Sequence, residues 1–401
     1  MIVGELKGLL SFKIKSRHDG YSDQFNRIFI VKILLVCSLV MGISWYKDSI
    51  RCVTPGSVDG DFVSDACWIQ GVYVFRELMD RIDEVAFYGM PKDINDDGML
   101  VEYGRLCKTK DPLYQARGLH CRPLTKTFFL QYQWFPFFIA SLAILYYLPY
   151  VLHLYGNPDL ISLKKKLKSG EADTEVFLRT YFNHKVNPVR QLRTRILFTY
   201  VVKLLYIAAN VVSFVATDSA LLGKFKGYGP KWVRWSKLDN HLAHDYMGMR
   251  DFPKPGNELL PPFGYCQVYV ATKDKVTSMG NKHTFVCEMS QNILYQYCLI
   301  LLWFVFVFGM IISIVGFLVQ LLDHLITIMC VLRHGTVAKK MYEILTLREC
   351  EYLEFIRRRD LQLYSQLIQK LRQEKYHMEL ANGNRGLPDS PPPGFDELTR
   401  L

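Results

Sequence analysis

Six of the ten cysteines in this chain, Cys52, Cys67, Cys107, Cys121, Cys266 and Cys287, fall in polar stretches where a free thiol has no apolar core to join. An even set of that kind reads as cystines of an oxidising compartment, and on sequence alone six cysteines permit fifteen pairings. Zinc is the competing chemistry, but the chain has no Cys-x-x-Cys pair to chelate it. Cys107 and Cys121 are spaced like a receptor-type Cys-loop, yet the stretch between them lacks an aromatic-Pro-x-Asp centre. Cys37, Cys298, Cys330 and Cys350 lie in apolar or tail segments and are expected to stay reduced.

A second chemistry is written in Asp93-Ile94-Asn95-Asp96-Asp97-Gly98-Met99-Leu100. Oxygens at positions 1, 3 and 5, glycine at 6 and an apolar residue at 8 match the first part of an EF-hand loop. The twelfth position is Gly104, not glutamate, and Glu102 would have to reach back from two residues early. The expectation is a solvated Asp/Asn/Gly turn, with an extracellular calcium site at Asp93, Asn95, Asp97 and Glu102 as the alternative. His241 and His244 lie one turn apart without a third ligand. No Gly-rich phosphate loop, Gly-x-Ser-x-Gly elbow or His-Glu-x-x-His occurs, so no enzymatic chemistry is expected, and no cofactor beyond that calcium.

What must position these residues follows from hydropathy. The chain is 50% hydrophobic with a mean hydropathy of +0.06, and the apolar residues gather into four blocks, 28–46, 128–153, 196–222 and 294–321. Each is long enough to cross a ~30 Å hydrocarbon core, which takes ~20 residues at helical rise. Lys32 and Lys203 are close enough to span ends for their stems to reach the headgroups. Trp134 and the tyrosines 146, 147, 150 and 155 mark the interfaces of the second span, and Pro136 and Pro149 predict kinks near its ends. Block 28–46 follows a long polar segment and ends without a small-x-small cleavage pattern, so it reads as a retained span, not a signal peptide.

Lysine and arginine are denser in 1–27 and 155–195 than in the two longer loops, which favours cytoplasmic termini. That orientation also puts all six loop cysteines outside. The expected organisation is a cytoplasmic segment 1–27, span 28–46, extracellular loop 1 (47–127), span 128–153, cytoplasmic loop 154–195, span 196–222, extracellular loop 2 (223–293), span 294–321, a helical tail 322–380 and a disordered end 381–401. The fold class is thus a mainly α membrane protein with four transmembrane helices, two disulfide-stapled extracellular loops and a helical cytoplasmic domain. Apolar positions at helical spacing (Met341, Ile344, Leu345; Tyr352, Leu353, Phe355, Ile356; Leu363, Leu367, Leu371) need a packing partner, and loop 155–195 is the nearest. The formal charge of +11 is spread through every polar segment, a pattern unlike a nucleic-acid stripe.

Residues at the membrane boundaries carry a family likeness. Tyr132-Gln133-Trp134 with Phe135-Pro136 opens the second span, and 23–27 before the first span reads Asp-Gln-Phe-Asn-Arg. Cys52 and Cys67-Trp68 follow the first span, Leu222-Gly223, Phe225 and Tyr228-Gly229 follow the third, and Phe252-Pro253 precedes Cys266. In this combination the chain resembles the innexins, the gap-junction proteins of invertebrates, over about residues 19–325.

The resemblance implies bridges Cys52 to Cys287 and Cys67 to Cys266, which leaves Cys107 to Cys121 inside loop 1. It also implies a ring of about eight identical or related subunits around a wide pore that selects by diameter and wall charge, docked to a ring in the apposed cell. Under that reading Met1, Ile2 and Val3 fold into the pore mouth, and Trp45, Tyr46, Lys47, Asp48 and Arg51 follow at the outer end of the first span. The alternative for the N-terminus, with Leu6, Leu9, Leu10, Phe12 and Ile14 among lysines, is an interfacial amphipathic helix. An undocked pannexin-like channel of the plasma membrane and a four-span adhesion or scaffold protein are the rival functions. The terminal Thr399 and Leu401 fit a PDZ ligand, which needs a hydroxyl two residues before an apolar C-terminus.

Overall fold

The computed structural model describes residues 20–47, 50–169, 173–238, 254–270, 281–331 and 345–381. Helix α1 is an α-helical turn Tyr21–Gln24, a π-helical stretch Phe25–Ile30 and an α-helix Val31–Lys47. Loop 1 contributes β1 (Arg51–Cys52), α2 (Gly60–Gln70), β2 (Val72–Phe75), β3 (Val85–Phe87), β4 (Met90–Pro91), β5 (Gly98–Leu100), β6 (Leu106–Cys107), β7 (Cys121–Pro123) and β8 (Lys126–Phe129). Then come α3 (Gln131–Gly156), α4 (Pro158–Ser169), α5 (Thr174–Tyr181) and α6 (Val189–Ala220). Loop 2 holds α7 (Tyr228–Trp235), α8 (Pro255–Leu259), β9 (Phe263–Val270) and β10 (Asn281–Glu288). The chain continues through α9 (Ser290–Ile326), α10 (Leu347–Arg357) and α11 (Leu361–Ala381).

Among the described residues helices α1, α3, α6 and α9 are the four long and apolar enough to cross a membrane, and they are the transmembrane helices of the fold. Helix α1 starts at Tyr21, earlier than its apolar block, because Asp23, Gln24, Asn26 and Arg27 are buried as well. The Arg27 guanidinium lies 3.8 Å over the Tyr150 ring, which accounts for one charge. Helix α3 starts at Gln131 and not at Phe128, because Lys126 to Phe129 pair antiparallel with β2. Both Pro136 and Pro149 sit inside α3.

The chain divides into two compact units. The first comprises 20–150 and 204–316 of the described residues. Its main sheet has the order β1-β10-β9-β2-β8, so strands from both loops interleave. The smaller sheet β6-β5-β7 belongs to loop 1 alone. Beneath them a continuous core joins Ile30 and Met41 of α1, Phe135 of α3, and Leu299 and Phe306 of α9 to Val63, Cys67 and Cys266 of the loops.

The second unit holds 151–203 and the described residues beyond 316. Leu163 of α4, Phe177 and Tyr181 of α5, Leu192 of α6, Tyr352 and Ile356 of α10, and Leu363 and Leu367 of α11 form its core. The tail helices pack on the loop between the second and third spans, each burying an apolar stripe that neither segment could cover alone. Thr346 and Glu349 form a capping box that starts α10. Met341 and Ile344 lie outside the described residues.

Candidate functional site

Three cystines define the outer module. Cys52 on β1 stands directly opposite Cys287 on β10, with 4.0 Å between their Cα atoms, and the two are bonded. Cys67, near the C-terminus of α2, is bonded to Cys266 on β9 and holds that helix to the sheet. The Sγ atoms of Cys52, Cys67 and Cys287 lie within 4.8 Å of one another, so the two inter-loop bridges adjoin in one knot, with Cys67 and Cys287 buried and Cys52 half-buried. Oxidised sulfurs offer no thiolate to a metal. Cys107 and Cys121 are bonded across the outer strands of the small sheet. Cys37, Cys298 and Cys350 are buried free thiols.

The aromatic cluster at the start of α3 works on this knot. A helix leaves its last carbonyls unpaired, and α2 ends only three residues after Cys67. Tyr132 Oη donates to the Trp68 carbonyl at 2.7 Å. Gln133 Nε2 donates to the carbonyls of Trp68 and Ile69 at 2.6 and 3.2 Å. Gly71 closes α2 at φ +84°, and a Cβ there would lie 2.6 Å from Leu130 Cδ2. The second span thereby sets the position of α2, and α2 sets Cys67. Trp134 is 40% exposed and packs edge-on against Phe135 and Phe138, while the Pro136 carbonyl accepts from Ser38 Oγ of α1 at 2.8 Å.

A second constellation ties the four spans together within the same unit. Asn210 Nδ2 of α6 donates to Asn26 Oδ1 of α1 at 2.8 Å and to Ser313 Oγ of α9 at 3.1 Å. Tyr146 Oη of α3 donates to Asn210 Oδ1 at 2.9 Å, and Asn26 Nδ2 to Ser313 Oγ at 2.8 Å. Gly309 allows the close approach, since a Cβ there would stand 2.4 Å from Asn210 Oδ1. Sequence reasoning passed over this cluster, although Asn210 inside an apolar block was a usable signal. Interhelical bonds in membranes are worth ~0.6 kcal/mol on average and up to ~1.7. Asn210→Ala removes the hub and is expected to cost about 2 kcal/mol, read as a lowered Tm of the full-length protein in detergent. An unchanged Tm would refute the role.

In the acidic loop of 93–97 the carboxylates of Asp93 and Asp97 are engaged by neighbours in the chain. Asp93 Oδ2 pairs with Lys108 Nζ at 2.9 Å, and Asp93 Oδ1 accepts from the Asn95 backbone and side-chain amides at 3.0 and 3.1 Å. The Asn95 amide first and the Lys108 ammonium second hold the Asp93 carboxyl below its ordinary range. Asp97 Oδ1 accepts from the Thr109 amide at 2.7 Å. Among the described residues Asp93, Asp97 and Glu102 do not come within metal-binding reach of one another. His241 and His244 lie outside the described residues.

Of the pore-lining candidates, Met1, Ile2, Val3 and Asp48 lie outside the described residues. Trp45, Tyr46 and Lys47 complete α1, and Arg51 is exposed on β1, paired in register with Glu288. Thr399 and Leu401 also lie outside.

The innexin family profile matches residues 19–377, nearly the whole chain. The chain belongs to the innexin family. Innexin inx3 of Drosophila melanogaster is 21% identical over 327 residues, which cover 79% of this chain and 71% of that protein. This innexin is therefore a multi-pass plasma-membrane subunit of an oligomeric gap-junction channel, from a family of channels and not of enzymes.

Proposed function

We propose that this innexin forms a ring of about eight subunits whose disulfide-knotted outer modules dock with a ring in the apposed cell, with both termini cytoplasmic and no enzymatic activity. The observation that carries the reading is the interleaved sheet: β1, β2 and β8 of loop 1 and β9 and β10 of loop 2 form one sheet, bridged twice by inter-loop cystines. Such a cross-linked platform presents both loops as one rigid surface, which head-to-head docking requires. Dye transfer between paired cells expressing only this chain is the test. Dye uptake from the medium without transfer would instead assign it to an undocked channel.

Calcium regulation is an independent proposal. An ion at Asp93 has to displace the Lys108 ammonium, so Lys108→Gln is expected to raise the calcium sensitivity of channel opening several-fold, in the ~10⁻⁴ to 10⁻³ M range of exposed extracellular sites. Identical calcium responses of Lys108→Gln and the parent would remove the ion from this loop.

The PDZ reading predicts that a peptide ending at Leu401 binds class I domains and that a Leu401→Asp peptide does not, measured by fluorescence anisotropy. Equal binding of both peptides, or of neither, would exclude a scaffold at this end.

A further inference from the structure

A cleft of about 610 Å³ opens in the outer module between the β2 end of loop 1 and the beginning of loop 2. Four cations line it, Arg76, Arg122, Lys224 and Lys231, against three carboxylates, Glu77, Asp80 and Glu258. Only part of this charge is paired off. Lys231 Nζ is committed to the Glu258 carboxylate. Lys224 Nζ reaches only uncharged acceptors, the Glu258 carbonyl at 3.1 Å and Met79 Sδ at 3.7 Å. Among the described residues the guanidinium groups of Arg76 and Arg122 make no hydrogen bond or ion pair. Glu77 is near Arg122 but is already held by the Thr125 amide at 2.9 Å.

The Lys224 ammonium is badly placed without a ligand. Burial pushes its pKa down, and although Glu258 and Asp80 oppose the shift, the charges of Lys231 and Arg76 add to it. An anion in the cleft reverses that balance. Two guanidinium forks and an ammonium suit a group with several oxygens at tetrahedral angles better than a planar carboxylate. The volume is that of a small-molecule site.

The cleft borders the end of a membrane-spanning helix. Lys224 lies four residues beyond Ala220, the end of α6. Beside it, Trp303 Nε1 of α9 donates to the Lys226 carbonyl at 3.3 Å, and Trp232 of α7 packs on Tyr297 with ring centroids 5.8 Å apart. Trp and Tyr are enriched at the headgroup layer, where phospholipid phosphates lie.

We propose that this cleft binds a phosphate group through Arg76, Arg122 and Lys224, carried by an outer-leaflet phospholipid or free in solution. The site is independent of the docking reading, because binding to it is measured without conduction.

The experiment uses the purified full-length channel in a maltoside detergent, titrated calorimetrically with three probes: sodium phosphate, dihexanoylphosphatidylcholine and the phosphate-free amphiphile octyl glucoside. The parent channel is expected to bind at least one of the two phosphate-bearing probes saturably, and octyl glucoside not at all. The probe that binds identifies the source. Arg76→Gln with Arg122→Gln is expected to weaken binding about tenfold or more, since each charged hydrogen bond removed is a large part of the affinity. Both arginines are exposed, so this variant keeps its fold, and Lys224→Gln is an independent second variant expected to weaken binding as well. Equal affinity of parent and variants, binding of octyl glucoside like the phosphate probes, or no binding of any probe would each overturn the proposal. Dye transfer by the same variants separates this outcome from a failure of the channel assignment.

Discussion

Arg348→Ala is expected to release the tail helices from the loop between the second and third spans. Arg348 is fully buried, and its guanidinium spends every nitrogen: Nε and Nη2 on the two Asp159 oxygens at 2.9 and 3.2 Å, Nη2 also on Asn157 Oδ1 at 2.7 Å, and Nη1 on Glu351 Oε2 at 2.7 Å. Tyr352 Oη donates to Asp159, Arg195 lies 3.5 Å from it, and His324 Nε2 stands 2.8 Å from Glu351. Removing the arginine leaves Asp159 buried without its main counter-charge, and breaking a buried pair in this way costs ~3–5 kcal/mol.

The measurement is hydrogen exchange over 347–381 in the full-length protein, where protection should fall by two or more orders of magnitude. Arg348→Met with Asp159→Asn removes both charges at once and is expected to restore much of it, because the buried Asp159 carboxylate is no longer left without its counter-charge and Glu351 keeps its His324 contact. Unchanged protection in Arg348→Ala would show that the apolar core of this unit holds the tail unaided.

The same network has a definite pH signature. Burial alone would raise the Asp159 carboxyl, but the Arg348 hydrogen bonds and charge, with Tyr352 and Arg195, outweigh it and hold the carboxyl below its ordinary range. Glu351 is lowered likewise, burial being outweighed by His324 and Arg348. Carboxyls depressed in the folded state contribute fully above their unfolded values of about 4 and lose that contribution as pH falls through the depressed ones. Exchange protection of the tail from these two carboxyls should therefore be insensitive to pH between 5 and 7 on the order of the measurement error, and weaken only in stronger acid.

Cys67→Ser is the second large effect, and its expected result is loss of dye transfer together with loss of surface delivery. The Cys67–Cys266 bridge joins residues 199 apart in sequence, and it is the covalent tie between α2 and the sheet. Removing a native disulfide from a small extracellular unit costs ~2–5 kcal/mol. The change also frees Cys266, whose thiol can mispair by exchange with another cystine of the module. Cys67→Ser with Cys266→Ser separates the two causes. If mispairing dominates, the double variant regains surface delivery; if the lost bridge dominates, it stays inside the cell. Normal dye transfer by Cys67→Ser would show that the Tyr132 and Gln133 bonds to the α2 end suffice.

Much of this architecture is already present in the order of residues. Four apolar blocks dictate four spans, because a backbone in hydrocarbon must satisfy its own hydrogen bonds and a helix does so within one segment. The helical stripe of the tail and its need for a partner could be read from spacing alone, and Tyr132-Gln133-Trp134 could be recognised without knowing what it held. Only the tertiary structure decided the rest. The interleaving of β9 between β10 and β2 joins positions nearly 200 residues apart, and no local pattern encodes a pairing of that range. The same holds for Asn26, Tyr146, Asn210 and Ser313, which come from four different spans and become a cluster only when the helices meet. Arg348 looks like an ordinary surface arginine of a charged helix until α10 lies against Asp159 and Asn157. The acidic loop shows the converse: residue types suited to calcium are engaged by Lys108 and the Thr109 amide, which strand β6 brings to them through its antiparallel pairing with β5. Periodicity and composition determine which elements form, since these depend on neighbours in sequence. Which charges are paired, and with what, depends on burial and on partners distant in the chain, and that only the folded structure sets.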